Sequence, residues 1–220
     1  MDDRARKISE TMRARGLDNF KHWRDEMKKR GLIKTEYPSL VHDGNLAELI
    51  GTTLGDGHLY KHDRCDSLRI VGDAKKMSFV NRSADLIEFV FKKKPSIVKV
   101  RASNAMTVTI YEKHLAKRLG LPHGSRAQYE YRVPSWIRKD KGYIARFLRG
   151  LYEAEGSIGH HPGTYTHKLV FANTNPHLLA LVAELVRTLG FTVSVSTTRV
   201  QVSRKAEVQD LENLLQFRRY

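Results

Sequence analysis

The sequence has almost no cysteine and no long apolar run, and each deficit excludes a class of protein. Cys65 is the only cysteine in 220 residues, so an intramolecular disulfide framework and a cysteine-based zinc site are excluded. A single thiol is typical of a reducing, intracellular compartment such as the cytoplasm, a nucleoid or an organelle. Because no run of about 18 apolar residues occurs, neither a membrane span nor a membrane partner is expected.

Acidic residues are also scarce relative to basic ones. The chain contains 39 Lys and Arg against 24 Asp and Glu, which is a formal net charge of +15. An excess of this size favours a polyanionic partner, and nucleic acid before a membrane surface. The plainer alternative is a basic surface that serves only solubility.

Residues 1–44 are predicted to be a basic arm and linker. Residues 1–36 carry 11 Lys and Arg and few large apolar side chains. Phe20, Trp23 and Met27 follow helical spacing and predict one short helix. A frayed, solvated terminus is the alternative. Residues 36–45, EYPSLVHDGN, are rich in turn formers and predict the linker.

The rest of the chain repeats one order of elements. Residues 45–120 and 143–220 each show a helix, two strands, a helix, two strands and a helix. Residues 121–142 contain two prolines and little periodicity, which indicates a connector. In the second lobe, a turn at Pro162-Gly163 is expected to include His160 and His161, which make no convincing zinc site. The predicted fold class is therefore α+β, with two pseudo-symmetric αββαββα lobes and antiparallel sheets.

A shift of 99 residues, from position 56 to position 155, aligns the two lobes. In the first helix of each lobe it aligns small residues at positions i and i+4, which let two helices approach closely, as they do in membranes. The same shift continues into the second strand, where it aligns Arg69 with Lys168. The aligned helix pairs are Leu49 with Leu148, Gly51 with Gly150, Gly55 with Ala154, Asp56 with Glu155, and Gly57 with Gly156.

Asp56 and Glu155 each end an apolar helix in a chain with surplus positive charge. If the helices pack side by side, both carboxylates lie where each helix C-terminus already carries about half a negative charge. Their repulsion would raise the pKa of at least one acid unless a cation binds. Mg²⁺ prefers oxygen ligands and often bridges carboxylates and substrate phosphates, so the pair predicts a metal site for phosphodiester hydrolysis. Ordinary core packing with an acidic cap is the alternative.

The same residues resemble the LAGLIDADG homing endonucleases. LAELIGTTLGDG (46–57) and FLRGLYEAEG (147–156) are similar to the two family motifs, and VPSWI precedes the second as in single-chain members. The resemblance covers about residues 44–217. It implies a monomer whose two lobes form saddle-shaped sheets over the major groove of double-stranded DNA, at a long, partly asymmetric target site. It also implies intron homing, with host intron RNA as a further candidate partner.

The resemblance assigns roles at the two helix ends. It implies that Asp56 and Glu155 are the metal ligands and the catalytic acids, assisted by the carbonyl oxygens of Gly55 and Ala154. The implied cofactor is Mg²⁺ or Mn²⁺, with Ca²⁺ as a non-catalytic substitute.

The resemblance also implies a basic side chain beside the metal, because family members often have a lysine there. Lys75, just past the second strand, is the candidate, and Lys76 is the near alternative. The second lobe has Thr174 at the position that matches Lys75, which implies catalytically unequal lobes.

Alternation along the strands predicts which side chains form the DNA-binding face. Val98, Val100, Val108 and Ile110 are expected to face the core in the first lobe, as Val193, Val195, Val200 and Val202 are in the second. The intervening residues then face outward, where arginine and glutamine can contact base edges. A merely solvated sheet face is the alternative. The predicted outward set is Arg69, Lys99, Arg101, Thr107, Thr109, Lys168, Ser194, Ser196, Arg199 and Gln201.

Three functions are compatible with these patterns. The leading prediction is a metal-dependent, site-specific endonuclease that cuts both strands of DNA. The second is a non-cutting nucleic-acid binder on the same scaffold, either an intron-splicing RNA maturase or a DNA-binding regulator. The third is a structural protein held together by its small-residue helices, for which the charge would be incidental.

Overall fold

In the computed structural model, residues 3–18, 20–161 and 166–220 are described. They belong to two compact units, Met1–Pro38 and Ser39–Tyr220. The first unit contains helix α1 (Asp3–Ala14) and helix α2 (Lys21–Lys29). Helix α2 confirms the short helix predicted near Trp23, and none of its residues is buried. Among the described helices, none has both the length and the apolar character needed to cross a membrane.

The second unit contains the two repeats. The first repeat comprises α3 (Gly44–Gly55), β1 (Gly57–Lys61), β2 (Asp66–Asp73), α4 (Met77–Phe91), β3 (Ser96–Lys99), β4 (Ala105–Glu112) and α5 (Leu115–Leu119). A short helix, α6 (Ser135–Arg138), follows in the connector. The second repeat comprises α7 (Lys141–Glu155), β5 (Gly156–His161), β6 (Thr166–Ala172), α8 (Pro176–Thr188), β7 (Ser194–Val195), β8 (Arg199–Val202) and α9 (Lys205–Leu215).

Each repeat forms one antiparallel four-stranded sheet. The strand orders are β1-β2-β4-β3 and β5-β6-β8-β7, so both sheets have the same topology. One face of each sheet packs on the helices through fully buried residues such as Leu68, Ile110, Phe171 and Val202. The α+β class and the αββαββα repeat predicted from the sequence are therefore confirmed. The exact boundaries of the lobes stay a prediction.

Helices α3 and α7 pack against each other at the centre of this unit. The side chain of Asp43 caps α3 by accepting from Leu46 N at 2.8 Å, and Asp140 caps α7 by accepting from Tyr143 N at 3.0 Å. A Cβ on Gly51 would overlap the carbonyl oxygen of Phe147. Both helices therefore depend on small residues at their contact, as the paired motif predicted.

A buried ionic cluster also joins these helices. Glu48 of α3 is only 1% exposed. Arg82 of α4 donates to both of its carboxylate oxygens, at 2.8 and 2.9 Å. Two arginines of α7 complete the cluster, Arg146 with Nε 2.6 Å from Oε2 and Arg149 with Nε 3.6 Å from Oε1. One carboxylate thus neutralises charge contributed by both repeats.

The alignment of the two lobes is wrong by two residues in the second strand. Gly57 pairs with Ile70 in the β1–β2 hairpin, whereas Gly156 pairs with Phe171 in the β5–β6 hairpin. Equivalent hairpin positions are therefore 101 residues apart there, not 99. Two residues are one full period of a strand, so the inward and outward faces are nevertheless preserved.

The predicted turn in the second lobe and the predicted connector need comment. His160 and His161 belong to strand β5 rather than to a turn. The turn predicted at Pro162-Gly163 lies outside the described residues. The connector also contains α6, which its two prolines and weak periodicity concealed.

Candidate metal and nucleic-acid site

The structure brings Asp56 and Glu155 to the adjoining ends of two packed helices. Asp56 is the C-cap residue of α3, and Glu155 is the last residue of α7. A Cβ on Gly55 would overlap that of Ala154 and would lie 3.7 Å from Cγ of Glu155. Because both helices end at this contact, their terminal carbonyl groups point toward the same region as the two carboxylates.

Both carboxyl groups are harder to ionise than usual. Burial raises the pKa of Asp56 to about 6, and the negative charge of Glu155 adds to that rise. The positive charge of Lys76 acts in the opposite direction. Burial also raises the pKa of Glu155, against a hydrogen bond from Asn173 that lowers it. Two half-buried acids, of which Asp56 is further disfavoured by the charge of Glu155, form an electrostatic setting that a cation would relieve.

The chemistry of this pair fits a divalent cation that keeps part of its water shell. Among the described residues, no group of three or more His, Cys, Asp and Glu side chains could hold a metal ion. Asp56 and Glu155 instead offer two hard oxygen donors beside helix-terminal carbonyl oxygens. Mg²⁺ is commonly held by one or two carboxylates together with water and substrate phosphate, so a site of this size suits it.

A cavity of about 550 Å³ opens beside Asp56. Its lining includes Lys76 and Glu153, and it does not include Lys75. The backbone N–H of Lys75 instead donates to Asp73 in the turn before α4. The structure therefore places Lys76, the near alternative, beside Asp56, and the catalytic role of Lys75 stays a prediction.

Glu155 has polar neighbours instead of a lysine. It lines a separate cavity of about 450 Å³ together with Asn173, Thr174 and Arg199. Asn173 Nδ2 donates to Oε1 of Glu155 at 3.4 Å. The two acids thus have different surroundings, and the catalytic inequality expected from Thr174 stays a prediction.

The outer face of the first sheet carries part of the predicted DNA-binding set. Arg69 pairs with Thr109, and Thr107 pairs with Val71, which places all four residues on the face opposite the core. Arg69 is exposed, while Thr109 is only 8% exposed because its neighbours cover it. These three predicted residues therefore share one surface.

Strand β3 departs from the predicted alternation. Val98 pairs with Thr107 and is 56% exposed, so it lies on the outer face instead of in the core. Lys99 pairs with Met106 and lies on the other face of the sheet. Arg101 is in the turn between β3 and β4. The prediction was wrong here because an edge strand of four residues is too short and too exposed for its apolar residues to indicate the buried face.

Strand β8 of the second sheet follows the predicted alternation, since Val200 and Val202 are fully buried. Val195, predicted to face the core, pairs with Val200 but is 49% exposed, because it lies in the two-residue edge strand β7. Gln201 pairs with Val170 and with Ser194, and Arg199 pairs with Ala172, which places these positions on the outer face. The outer set also includes Lys168, opposite Gly159, and Ser196, whose backbone N–H donates to Arg199 O at 2.9 Å. Contact of these side chains with DNA stays a prediction.

A row of rings on the first sheet was missed from the sequence. His58 and Tyr60 have ring centroids 3.9 Å apart, and His62 lies 5.9 Å from Tyr111. The guanidinium of Arg69 lies 5.7 Å from the centre of the Tyr60 ring. The available signal was the ring-bearing residue at every second position of HLYKHD, which places all three rings on one face of a strand. The first sheet thus has an outer face that carries these rings.

Comparison with known proteins agrees with this architecture. The family model for a LAGLIDADG-like domain matches residues 142–220. A structure of variants of the homing endonuclease I-DmoI aligns with a TM-score of 0.56 and 19% identity, covering 78% of this chain and 90% of that one. The structure of I-DmoI in complex with DNA and Mn aligns with a TM-score of 0.52 and 18% identity, and the alignment covers 78% of this chain and 96% of that one. The structure of the N-terminal LAGLIDADG domain of WhiA aligns with a TM-score of 0.54 and 15% identity, and the alignment covers 80% of this chain and 83% of that one.

Two relatives are similar over a shorter stretch. The tRNA-splicing ligase RtcB of Methanopyrus kandleri is 29% identical over 129 residues, which are 52% of this chain and 13% of the relative. RtcB of Pyrococcus furiosus is 26% identical over 154 residues, which are 63% of this chain and 16% of the relative. The chain therefore spans less than a fifth of the length of these relatives. The family resemblance inferred from the sequence is confirmed by the domain match and the fold.

Proposed function

Because residues 142–220 form a LAGLIDADG-like domain and the chain has the fold of I-DmoI, we propose that the protein is a homing endonuclease. It cuts both strands of double-stranded DNA at a long, specific site and depends on divalent metal. The observation that carries this proposal is the meeting of Asp56 and Glu155 at the ends of α3 and α7. The charge of +15 supports a polyanionic substrate.

The two acids are the groups that would hold the metal, with the carbonyl oxygens of Gly55 and Ala154 beside them. Mg²⁺ or Mn²⁺, when bound, supplies Lewis-acid stabilisation of the phosphate and a more acidic water. Structures of I-DmoI with Mn, with Mg and with Ca support this choice of ions. The raised pKa of Asp56 is a property of the metal-free protein, because a neighbouring cation favours the ionised carboxylate.

The residues around the acids have separate roles. Lys76 places a positive charge beside Asp56, where it favours the ionised acid and a phosphate group. Asn173 holds one oxygen of Glu155 and so limits the orientation of that carboxylate. Since Lys76 lies beside Asp56 and no lysine is among the described residues that line the cavity at Glu155, the two strands are cut at unequal rates.

The outer faces of the two sheets bind the target in the major groove. Arg69, Arg199 and Gln201 contact base edges, and Lys168 contacts phosphate. The remaining outer residues fill the interface, and the two faces differ in chemistry, so the target site is asymmetric. I-DmoI in complex with its target DNA supports this arrangement.

One chain supplies both acids, so the protein acts as a monomer on chromosomal or organellar DNA inside the cell. The partial match to RtcB proteins is consistent with a homing-endonuclease segment within those longer chains. Host intron RNA is a second candidate ligand, because the same basic faces suit either nucleic acid.

The proposal is tested with a plasmid library of randomised target sites, incubated with Mg²⁺. Cleavage of a discrete set of sequences by the parent, and none by the Asp56→Asn, Glu155→Gln double variant, is the expected result. Tight, sequence-specific binding of DNA or intron RNA by a parent that cuts no sequence would instead favour the non-cutting maturase or regulator. Unchanged cleavage by the double variant would contradict the assignment of the acids.

A further inference from the structure

Arg126 of the connector reaches back to the helix end that carries Asp56. Its Nη2 donates to the carbonyl oxygen of Thr53 at 2.6 Å and also to that of Gly57, which directly follows Asp56. These contacts span 73 and 69 residues of sequence. One guanidinium group thus holds the backbone on both sides of the acid.

Arg218 of the C-terminal segment makes the corresponding contact in the second lobe. Its Nη2 donates to the carbonyl oxygen of Gly156 at 3.1 Å, and Gly156 directly follows Glu155. The backbone N–H of Arg218 donates to Oε1 of Glu153 at 2.6 Å. Each acid therefore precedes a glycine whose carbonyl oxygen accepts a hydrogen bond from an arginine.

The two arginines occupy equivalent places in the repeat, although the sequence shift of 99 residues does not align them. Arg126 lies after α5, the last helix of the first repeat, and Arg218 lies after α9, the last helix of the second. In each lobe, the segment that leaves the final helix returns to the end of the first helix. The two arginines are therefore equivalent in their three-dimensional position and not in their spacing along the sequence.

The position of Arg126 is costly. The atoms Nε and Nη1 of Arg126 are buried and have no hydrogen-bond partner among the described residues. Arg126 also lines a cavity of about 340 Å³, together with Gly55, His58 and Asn173. Burying unpaired guanidinium nitrogens is unfavourable, and this cost is offset only in part by the partial negative charge at the end of α3. Packing alone does not account for an arginine here.

The connector is also joined to the second acid. Asn175 Nδ2 donates to the carbonyl oxygens of Arg126 and Tyr129, at 3.0 and 2.9 Å. The backbone N–H of Asn175 donates to Asn173 Oδ1 at 2.8 Å, and Asn173 holds Glu155. A continuous series of hydrogen bonds therefore links the backbone around Asp56 to the carboxylate of Glu155.

We propose that Arg126 and Arg218 are paired positioning residues, each fixing the helix end that carries one metal-binding acid. Arg126 fixes Asp56, and Arg218 fixes Glu155. The proposal rests on the proposed nuclease function, and it adds that each strand break depends chiefly on one arginine. A displaced acid would misplace the metal and the attacked phosphate, for which a misplacement of about 1 Å costs about 100-fold in rate.

The first test measures which strand is cut. Arg126→Met and Arg218→Met keep the length of the side chain and remove its donors. On end-labelled duplexes containing the target, we expect each variant to slow one strand break by about 10- to 100-fold more than the other, and on opposite strands. Arg126→Lys, which retains the charge and one donor group, should recover part of the rate. Equal slowing of both strands by both variants would overturn the proposal, because a general loss of packing has no strand preference.

The second test does not depend on cleavage. Mn²⁺ affinity is measured by electron paramagnetic resonance for the parent, the two methionine variants, and the controls Arg132→Met and Arg219→Met. Arg132 lies in the same connector, is exposed and pairs with Glu130, and Arg219 is the neighbour of Arg218. We expect at least a 3-fold weaker affinity in Arg126→Met and Arg218→Met only. Identical affinity in all five proteins would contradict the positioning role. A parent that binds Mn²⁺ but cuts no DNA would contradict the nuclease function alone.

Discussion

Gly55 and Ala154 face each other so closely that a Cβ added to Gly55 would overlap the Cβ already present on Ala154. This contact sets how near the two carboxylates can lie, because Asp56 directly follows Gly55 in the sequence and Glu155 directly follows Ala154. The same closeness extends one turn back along both helices, where Gly150 would place a Cβ 2.5 Å from the backbone nitrogen of Thr52. The site and the stability of the unit therefore depend on the same small residues.

Gly150→Ala is expected to destabilise the protein by about 2–4 kcal/mol, because the new methyl group would meet backbone atoms that cannot move aside. Urea denaturation followed by circular dichroism measures this change. Gly142→Ala, near the start of the same helix, is the matched control, since its Cβ would meet only the side chain of Asp140, at 3.0 Å. We expect less than about 1 kcal/mol there. Similar effects at both positions would contradict the close approach of α3 and α7.

Asp56→Asn is expected to stabilise the metal-free protein at neutral pH. The folded acid has a pKa of about 6 against 3.8 in a model peptide. Between these values the unfolded chain is ionised while the folded chain stays protonated, so stability falls as the pH rises through this window. Asparagine cannot ionise, and the variant should gain about 1–3 kcal/mol above about pH 6.5, with the gain vanishing near pH 4.

Urea denaturation of metal-free protein across this pH range measures that gain, with Asp63→Asn at an exposed position as the control. Added Ca²⁺ should then raise the melting temperature of the parent more than that of Asp56→Asn. A variant that is less stable than the parent at every pH would show that Asp56 is a structural cap and not a strained ligand.

Glu48→Gln is expected to destabilise the protein by about 3–5 kcal/mol. The substitution removes the one carboxylate shared by Arg82, Arg146 and Arg149 and leaves their charges uncompensated at the junction of the repeats. Glu184→Gln removes an exposed pair with Arg138 and should cost less than about 1 kcal/mol. Thermal and urea unfolding of both variants give the comparison, and equal losses would contradict a special role for the buried cluster.

Arg69→Ala is expected to relax discrimination at one base pair of the target by about 1–3 kcal/mol, because the guanidinium is held beside the Tyr60 ring and can bind a base edge in two places. Lys168→Ala should weaken binding to all sequences alike and reduce the salt slope by about one. Binding to a panel of single-base target variants in Ca²⁺ distinguishes the two effects. A uniform loss for Arg69→Ala would assign it to phosphate.

The repeat and the paired acids could be predicted because their information is local. Helical spacing, a small-residue stripe and an acid before a glycine each occupy a few consecutive positions, and they occur twice. The contacts of Arg126 could not be predicted, because its partners lie about 70 residues away and its connector has no periodicity. Asn175 caps helix α8, and its hydrogen bonds to the connector could not be predicted, because they depend on where the connector passes.

The outward faces illustrate the same limit. Alternation succeeded in β8, where Val200 and Val202 are enclosed by the core, and failed in β3, where Ile97 and Val98 are both exposed. A two-residue pattern in an edge strand carries little information about burial, so only the pairing partner decides the face. The choice between Lys75 and Lys76 stays a prediction, because the two are adjacent in one turn and the sequence alone does not separate them.

Under the proposed function, the unequal hairpins bear on which DNA sequence the protein recognises. When the first helices are superposed, Lys168 occupies the position of Ser67 and not that of Arg69, because its hairpin is offset by two residues. Two strand residues extend about 7 Å, close to the rise of two base-pair steps. Under the proposed function, Lys168 would therefore contact its half-site about two steps away from the place that Arg69 contacts in the other half-site, and the preferred target should be a pseudo-palindrome instead of a perfect palindrome.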